Sequence, residues 1–264
     1  MKKTKDSRKK RHEQIRNLLI SHNLLSVAEF CRILDCSEAT IRNDLRYLEE
    51  QGFIQRTFGG AIATANTTYN TDVMLRTSVS TKEKEAIADY VIHHILVSGQ
   101  IITLDAGSTN VILAQKIIES PLELTVITNS FAAASILSKS EKINLYLVGG
   151  YYNPLTYAFL DEMAPKILES IRSDIFFLAP NGLSKEAGIT ISDPKEVFIK
   201  QTMIRHARQC IALADHSKIG KLGLKVICGF EALRMLVTDD KADVQEIAKL
   251  EESGVRVIAA PSVS

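Results

Sequence analysis

Between Ser37 and Tyr47 the chain reads SEATIRNDLRY, a spacing that puts Ala39, Arg42, Asn43 and Arg46 on one side of a helix at about 100° per residue. Those side chains are the types that read a DNA groove. Arginine offers a fork to guanine or a clamp on phosphate, asparagine a donor–acceptor pair to adenine, and Thr40 and Tyr47 at the edges reach backbone phosphates. A second set of residues follows short apolar runs: Asp105 after IITL, Asn129 after LTVIT, Gly149 and Gly150 after NLYLV, Asn181 and Gly182 after IFFLAP, Asp215 after CIALA, and Asp239 after MLVT. Small and polar residues beyond the carboxyl ends of parallel strands converge on one crevice, so this set predicts a ligand site. Within it LDAGSTN, Leu104 to Asn110, suits an anion: Gly107 lets the backbone approach, and Ser108 and Thr109 present hydroxyls and amides at a helix start. A Gly-Ser-Thr turn is also an ordinary way to begin a helix.

The elements that position these residues follow from periodicity. Val27, Phe30 and Leu34, then Ile41, Leu45 and Leu48, recur at three- and four-residue spacing with a break at Asp35-Cys36, which predicts two short helices packed at an angle. Ser37 stands at the N-cap of the second, with Thr40 three residues on. Gly52 suits a left-handed C-cap, and FIQRTFGGA then reads as strand, tight Gly59-Gly60 turn and returning strand, a wing carrying Arg56 to phosphate or the minor groove. Ile15, Leu18, Leu19 and Leu24 or Leu25 predict a preceding helix that ends near Asn23. From Lys84 onward, helical stretches near 84–97, 109–119, 130–138, 161–171, 193–207 and 243–252 alternate with the runs IITL, LTVIT, NLYLV, IFFLA, CIALA, MLVT and VRVIA. Apolar β-branched runs of that length are buried parallel strands. The fold class is therefore an N-terminal winged helix-turn-helix domain plus a C-terminal α/β domain with a mostly parallel, doubly wound sheet. The expected division is a head over 1–61, a linker over 62–75 rich in Thr, Asn and Ala, and an α/β domain over 76–264, to which the family likeness given next assigns effector sensing and oligomerisation.

The stretch SEATIRNDLRYLEEQGFIQRTFGGA resembles the signature of the DeoR family of bacterial transcription regulators, S-x-x-T-I-R-x-D-L-x-x-L-E leading into G-x-x-x-R-x-x-G-G-A. Further likenesses are Arg76 eight residues before Lys84, LDAGST, VITNS, LVGG, Gly188-x-Thr190 with Glu196, Lys200 and Met203, and ADHSKIG from Ala214 to Gly220. The resemblance implies a second domain similar to ribose-5-phosphate isomerase that senses a phosphorylated sugar or polyol. It implies operator DNA as partner, a homo-oligomer (dimer or tetramer), no cofactor and no catalysis. Carried over, it makes Asp105, Gly107, Ser108, Thr109, Asn129, Gly149, Gly150, Asn181, Gly182, Glu196, Lys200, Asp215 and Lys218 candidates for effector contact. Plainer roles compete: the glycines as turns, Glu196 and Lys200 as a surface helix pair, Asp215 as a loop cap, Arg76 as an exposed linker charge. Three positions depart from the family. Asn43 stands where a second Arg is usual, Asn153 where an Arg often follows the Gly-Gly pair, and Asp161 where a Gly is usual, implying altered base preference and an altered or lost effector site.

Composition sets the frame. The 264 residues are 45% hydrophobic, with a net charge of +1. Residues 1–60 hold 12 Lys/Arg against 8 Asp/Glu, leaving 20 against 23 of the chain's 32 and 31, so the basic excess sits with the proposed DNA contact. The opening MKKTKDSRKKR, seven bases and one acid, is either a solvated tail or an arm that attracts phosphate. Cys31, Cys36, Cys210 and Cys228 form no C-x-x-C pair and no ligand-spaced cluster with the histidines, which predicts reduced cytoplasmic thiols and no metal. No apolar run reaches membrane-spanning length and no signal peptide opens the chain, so secretion and membrane insertion are not expected. Two other readings compete: a sugar-phosphate isomerase with an appended DNA-binding head, using Asp215, Glu196 and Lys200, and a scaffold whose two sites have decayed. The first lacks a visible acid–base constellation, and intact Arg42, Arg46 and Arg56 argue against the second.

Overall fold

The computed structural model describes residues 2–22, 24–50, 53–57, 59–63, 73–160 and 168–262, and the chain falls into two compact units, Met1–Val79 and Ser80–Ser264. The first unit runs α1 (Lys2–His22), β1 (Leu24–Ser26), α2 (Val27–Leu34), α3 (Glu38–Glu50), β2 (Ile54–Thr57), β3 (Gly60–Ala63) and α4 (Val73–Thr77). Ile15, Leu19, Phe30, Ile41, Leu45, Leu48 and Ile54 close one small core, so the helical spacing read from the sequence is the packing of the head. The basic opening run is helical from Lys2, not an extended tail.

Strand β1 adds to the wing. The sheet order is β1-β3-β2, all antiparallel, with Leu25 opposite Ala61 and Ser26 opposite Gly60. A side chain at Gly60 would collide with the Leu25 carbonyl, so glycine there is what lets the first strand close on the third. Strand β3 pairs on both sides and its ladder with β2 continues to Ala63, two residues beyond the expected end of the head, and the helical turn Val73–Thr77 runs across the end of the expected linker. Between them, residues 64–72 lie outside the described residues, as does the Gly52 cap.

Helix α2 opens with a reciprocal cap that S-V-A-E announces. The Ser26 hydroxyl accepts from Glu29 N (3.3 Å) and the Glu29 carboxylate accepts from Ser26 N (2.8 Å). Asp35 closes it in the left-handed region at φ 49°. Ser26→Ala should lower head stability by about 1 kcal/mol, visible as a reduced urea midpoint for that unit; an unchanged midpoint would mean the strand pairing alone fixes the helix start.

The second unit continues with α5 (Thr81–His94), β4 (Ile101–Leu104), α6 (Ser108–Glu119), β5 (Leu124–Thr128), α7 (Phe131–Leu137), β6 (Ile143–Leu147), β7 (Tyr151–Asn153), β8 (Ala158–Leu160), β9 (Ser173–Leu178), β10 (Gly182–Ser184) and β11 (Gly188–Ile191). It ends with α8 (Val197–Arg205), β12 (Ala207–Leu213), β13 (Lys225–Cys228), β14 (Met235–Asp239), α9 (Val244–Glu251) and β15 (Val257–Ala260). The seven expected apolar runs form one parallel seven-stranded sheet, ordered β15-β14-β12-β9-β4-β5-β6. Both faces are buried: Phe176 and Leu178 enter one core, while Ile175 and Phe177 from the same strand enter the other. Sequence reading did not anticipate the β7–β8 hairpin or the antiparallel β10-β11-β13 sheet. Most of the helix expected over 161–171, with Asp161, lies outside the described residues.

Candidate functional site

In the head, Ile41, Leu45 and Leu48 turn inward, and Ala39, Arg42, Asn43, Arg46 and Tyr47 are exposed. Ser37 caps α3, accepting from Thr40 N (3.3 Å) and sharing a hydroxyl hydrogen bond with Thr40 (2.9 Å). Asn43, Arg46, Tyr47 and Thr40 line one open cleft together with Arg8 and Arg11 of α1 and the acids Asp44 and Glu50, so four of the candidate contacts share a surface with three arginines. Arg42 pairs with Glu38 at 2.6 Å on the helix surface, an exposed pair that costs little to break when a phosphate or base arrives. On the wing, the Arg56 amide donates to Glu49 (2.8 Å) and its guanidinium lies 3.7 Å from the same carboxylate.

One head residue escaped the sequence reading. Asp44 shares the inward side of α3 with Ile41, Leu45 and Leu48, and its buried carboxylate takes Arg11 at 2.5 Å, His12 at 2.8 Å and Arg8 at 3.6 Å. The first pairing raises the Arg11 pKa. His12 also stacks on Tyr47 (centroids 4.9 Å apart), and the Arg8 guanidinium lies 5.1 Å from the centre of that ring. An acid in phase with the apolar positions, opposite a basic helix, was the available signal.

In the second unit the strand ends gather buried charge. Asp105, just past β4, is fully buried and forms an ion pair with Lys200, whose ammonium also lies 3.2 Å from Glu196. One Asp105 oxygen, Oδ2, accepts from Lys200 and from Ala179 N (3.0 Å); Oδ1 has no hydrogen-bond partner among the described residues. Burial pushes the Asp105 carboxyl up, and Lys200 opposes this without overcoming it. Burial pushes Lys200 down, but Asp105 and Glu196 together outweigh it and hold the ammonium above its ordinary value. Glu196 and Lys200 are therefore buried members of one trio, not a surface helix pair.

A second buried pair lies at the end of β12, where Lys84 of α5 stands 4.0 Å from Asp215. Burial raises the Asp215 carboxyl, but Lys218, Lys84 and the Ser217 hydrogen bonds prevail and leave its pKa below the ordinary carboxylate value. Asp215 does cap a loop, accepting from Ser217 N (3.1 Å), but it does so while paired with a buried cation. A depressed carboxylate stabilises the fold in full above its unfolded pKa of about 3.9 and loses that contribution as pH falls through the lower folded value. Wild type should therefore exceed Asp215→Asn in urea stability at neutral pH, with the gap closing in acid; a gap independent of pH would mean that Asp215 acts by shape alone.

The remaining candidates divide. Ser108 and Thr109 are buried at the start of α6, where Gly107 presses so closely on Ala179 that a Cβ would collide with it. Asn110 donates to the carbonyls of Asp105 (3.0 Å) and Phe177 (2.8 Å) and ties this loop to β9. Asn129 donates to the Phe159 carbonyl (3.2 Å), which fixes its amide orientation and leaves Oδ1 buried without a hydrogen-bond partner among the described residues. Asn181 accepts from Ser192 N (3.0 Å), and Gly182 packs against the Lys221 carbonyl, so both stitch loops together. Gly149 has open space where a side chain would stand, and Gly150 continues the turn into β7 at φ 148°. Asn153, the departure from the family pattern, accepts from Leu155 N (3.0 Å) and shapes the β7–β8 turn.

A winged helix-turn-helix head and a parallel α/β domain with ionisable groups buried at its strand ends define a DNA-binding regulator with a sensor. Residues 11–67 match the DeoR-like helix-turn-helix domain and residues 79–240 the DeoR C terminal sensor domain, and the chain belongs to the DeoR family of transcriptional regulators. It is 32% identical to the HTH-type transcriptional regulator FruR of Bacillus subtilis, over 87% of this chain and 90% of that one. It is also 32% identical to the HTH-type transcriptional regulator GolR of Listeria innocua (94% and 96% covered) and to the HTH-type transcriptional repressor GlcR of Bacillus subtilis (92% and 93%). Among the described residues, no helix is long and apolar enough to cross a membrane.

Proposed function

We propose that the chain is a cytoplasmic repressor of a sugar or polyol utilisation operon, which binds its operator as a homo-oligomer and releases it when a phosphorylated sugar or polyol occupies the strand-end crevice. The observation that carries the sensing half is the concentration of buried ionisable groups at one end of the sheet, Asp105, Lys200, Glu196, Lys84 and Asp215. Buried charges are costly, and groups gathered this way mark a place where ligand binding repays the cost. The Ser108 and Thr109 amides at the start of α6 suit the phosphate, and the acids suit hydroxyl donors. In the head, Ala39, Arg42, Asn43 and Arg46 are assigned to the groove-reading face, Thr40 and Tyr47 to backbone phosphates, Arg56 to phosphate or the minor groove, and Ser37 to the same interface at the helix start. The repressor in GlcR's name supports the sign of the response, and the relatives' names as regulators support binding without turnover. For a nearly complete switch the effector must favour the operator-incompetent form by about 5 kcal/mol.

The test is a gel-shift titration at fixed salt on DNA from upstream of the neighbouring genes, with and without a panel of phosphorylated sugars and polyols. One compound should weaken the complex. Arg46→Ala should cost roughly 1 to 3 kcal/mol of specific affinity if the contact is bidentate to a base. Wild-type affinity in that variant removes Arg46 from the reading face.

A further inference from the structure

The four cysteines are assigned to neither site, and they divide into two pairs. Burial pushes the Cys210 thiol up and the Cys228 thiol up to about 12, so neither sulfur is a ready nucleophile near neutral pH. Cys31 and Cys36 differ: each is only half-buried, and both pack against the core of the head. They bracket the turn between α2 and α3. The Cys31 carbonyl accepts from Asp35 N and, at 3.3 Å, from Cys36 N, while Asp35 between them takes the left-handed conformation at φ 49°. That six-residue closure folds the chain back on the end of α2, so that its first and last side chains meet on the core side. It also brings their Cα atoms to about 6 Å, within the span that a disulfide bridges. In the reduced turn the Cys36 thiol donates instead to the Leu34 carbonyl (3.2 Å).

We propose that Cys31 and Cys36 form an oxidation site, which hydrogen peroxide converts to a disulfide that resets the turn and weakens the hold of α3 on DNA. One thiolate attacks a peroxide oxygen: an S–O bond forms, the O–O bond breaks, and the hydroxide that leaves takes up a proton to become water. The second sulfur then attacks the sulfenic sulfur. The S–S bond forms, the S–O bond breaks, and a second water leaves with the proton of the second thiol. Two electrons pass from the pair of sulfurs to the peroxide. With only Arg32, Ile33, Leu34 and Asp35 between the two cysteines, the second sulfur is held at high effective concentration and outruns a free thiol. The bridge must draw the Cys36 sulfur off the Leu34 carbonyl, and the next residue, Ser37, is the one that caps α3 by accepting from Thr40 N (3.3 Å). Strain therefore enters at the first turn of the reading helix, beside Ala39 and Arg42. A bridge across so tight and accessible a turn is also readily reduced, which makes the change reversible.

The test treats the full chain with hydrogen peroxide, blocks the remaining thiols by alkylation, maps the cysteines by mass spectrometry and repeats the gel shift on the same upstream DNA. Peptides should show one bridge, Cys31 to Cys36, with Cys210 and Cys228 still alkylated. Operator affinity should be lower by at least about tenfold, the equivalent of one bidentate base contact, and dithiothreitol should restore it. Cys31→Ala should bind as the reduced wild type does and show no peroxide response that dithiothreitol reverses. Should that variant fail to fold, the mapping and the gel shift on wild type stand without it. A bridge elsewhere, sulfinic acid at these positions with no bridge, or oxidised protein that binds DNA as tightly as reduced protein each overturns the proposal. Only the gel shift depends on the DNA-binding reading: reduced protein that binds no DNA sinks that reading, and the mapped bridge then decides this one.

Discussion

Replacing Lys200 by Met is expected to cost the α/β unit about 3–5 kcal/mol, the penalty for leaving a buried charge without its partner. The ammonium is wholly buried and is shared by two carboxylates, Asp105 and Glu196. Met fills similar space but leaves two acids facing each other in the interior, and one of them must take a proton for the fold to survive. Asp105→Asn should behave oppositely. With both acids ionised the trio carries one negative charge in excess, and Asn removes it while keeping an oxygen to accept from Lys200 and Ala179 N. Its amide nitrogen takes the place of Oδ1, which has no hydrogen-bond partner among the described residues. Stability should stay within about 1 kcal/mol of wild type. Urea denaturation of the three proteins, followed on the second unit's transition, makes the comparison. Equal losses in both variants would show that packing, not charge, sets the stability of this site.

The contrast between those two positions also marks where sequence reading stops. Asp105 was legible because it ends a β-branched run, and a run buried on both faces announces itself without knowledge of its neighbours. All seven parallel strands were found in this way. By spacing alone Lys200 and Glu196 are an i, i+4 pair, and it is the family likeness that makes them effector candidates; that the pair faces inward depends on α8 packing over β9 and β12, which no local pattern states. Lys84 shows the same limit more sharply, since its partner Asp215 lies on the far side of the sequence. The small antiparallel strands were missed for a related reason. Three or four residues carry too little alternation to register, and β11, hairpinned to β10, takes its other partner from the distant β13. By contrast, the Ser26–Glu29 cap was written in the sequence as S-x-x-E and needed only to be read.

Asp44→Ala should give the largest loss in the head, about 3 kcal/mol, within the range for removing one partner of a buried ion pair. The carboxylate is almost fully buried and receives Arg11 and His12 directly, with Arg8 at its edge, so its removal leaves three basic groups of α1 crowded together without an acceptor. The damage should reach the DNA face, because Arg8 and His12 also hold Tyr47, and Arg8 and Arg11 share a cleft with Asn43 and Arg46. Operator affinity should therefore fall even where the head remains folded, as α1 loses its tie to α3. Asp44→Asn, which keeps an acceptor of the same shape, should lie between alanine and wild type. Heat or urea should lower the head's transition and leave that of the α/β unit in place. A head transition within 0.5 kcal/mol of wild type, a margin ordinary for surface substitutions, would mean that the apolar core alone fixes α1 on α3 and that Asp44 serves the DNA face only.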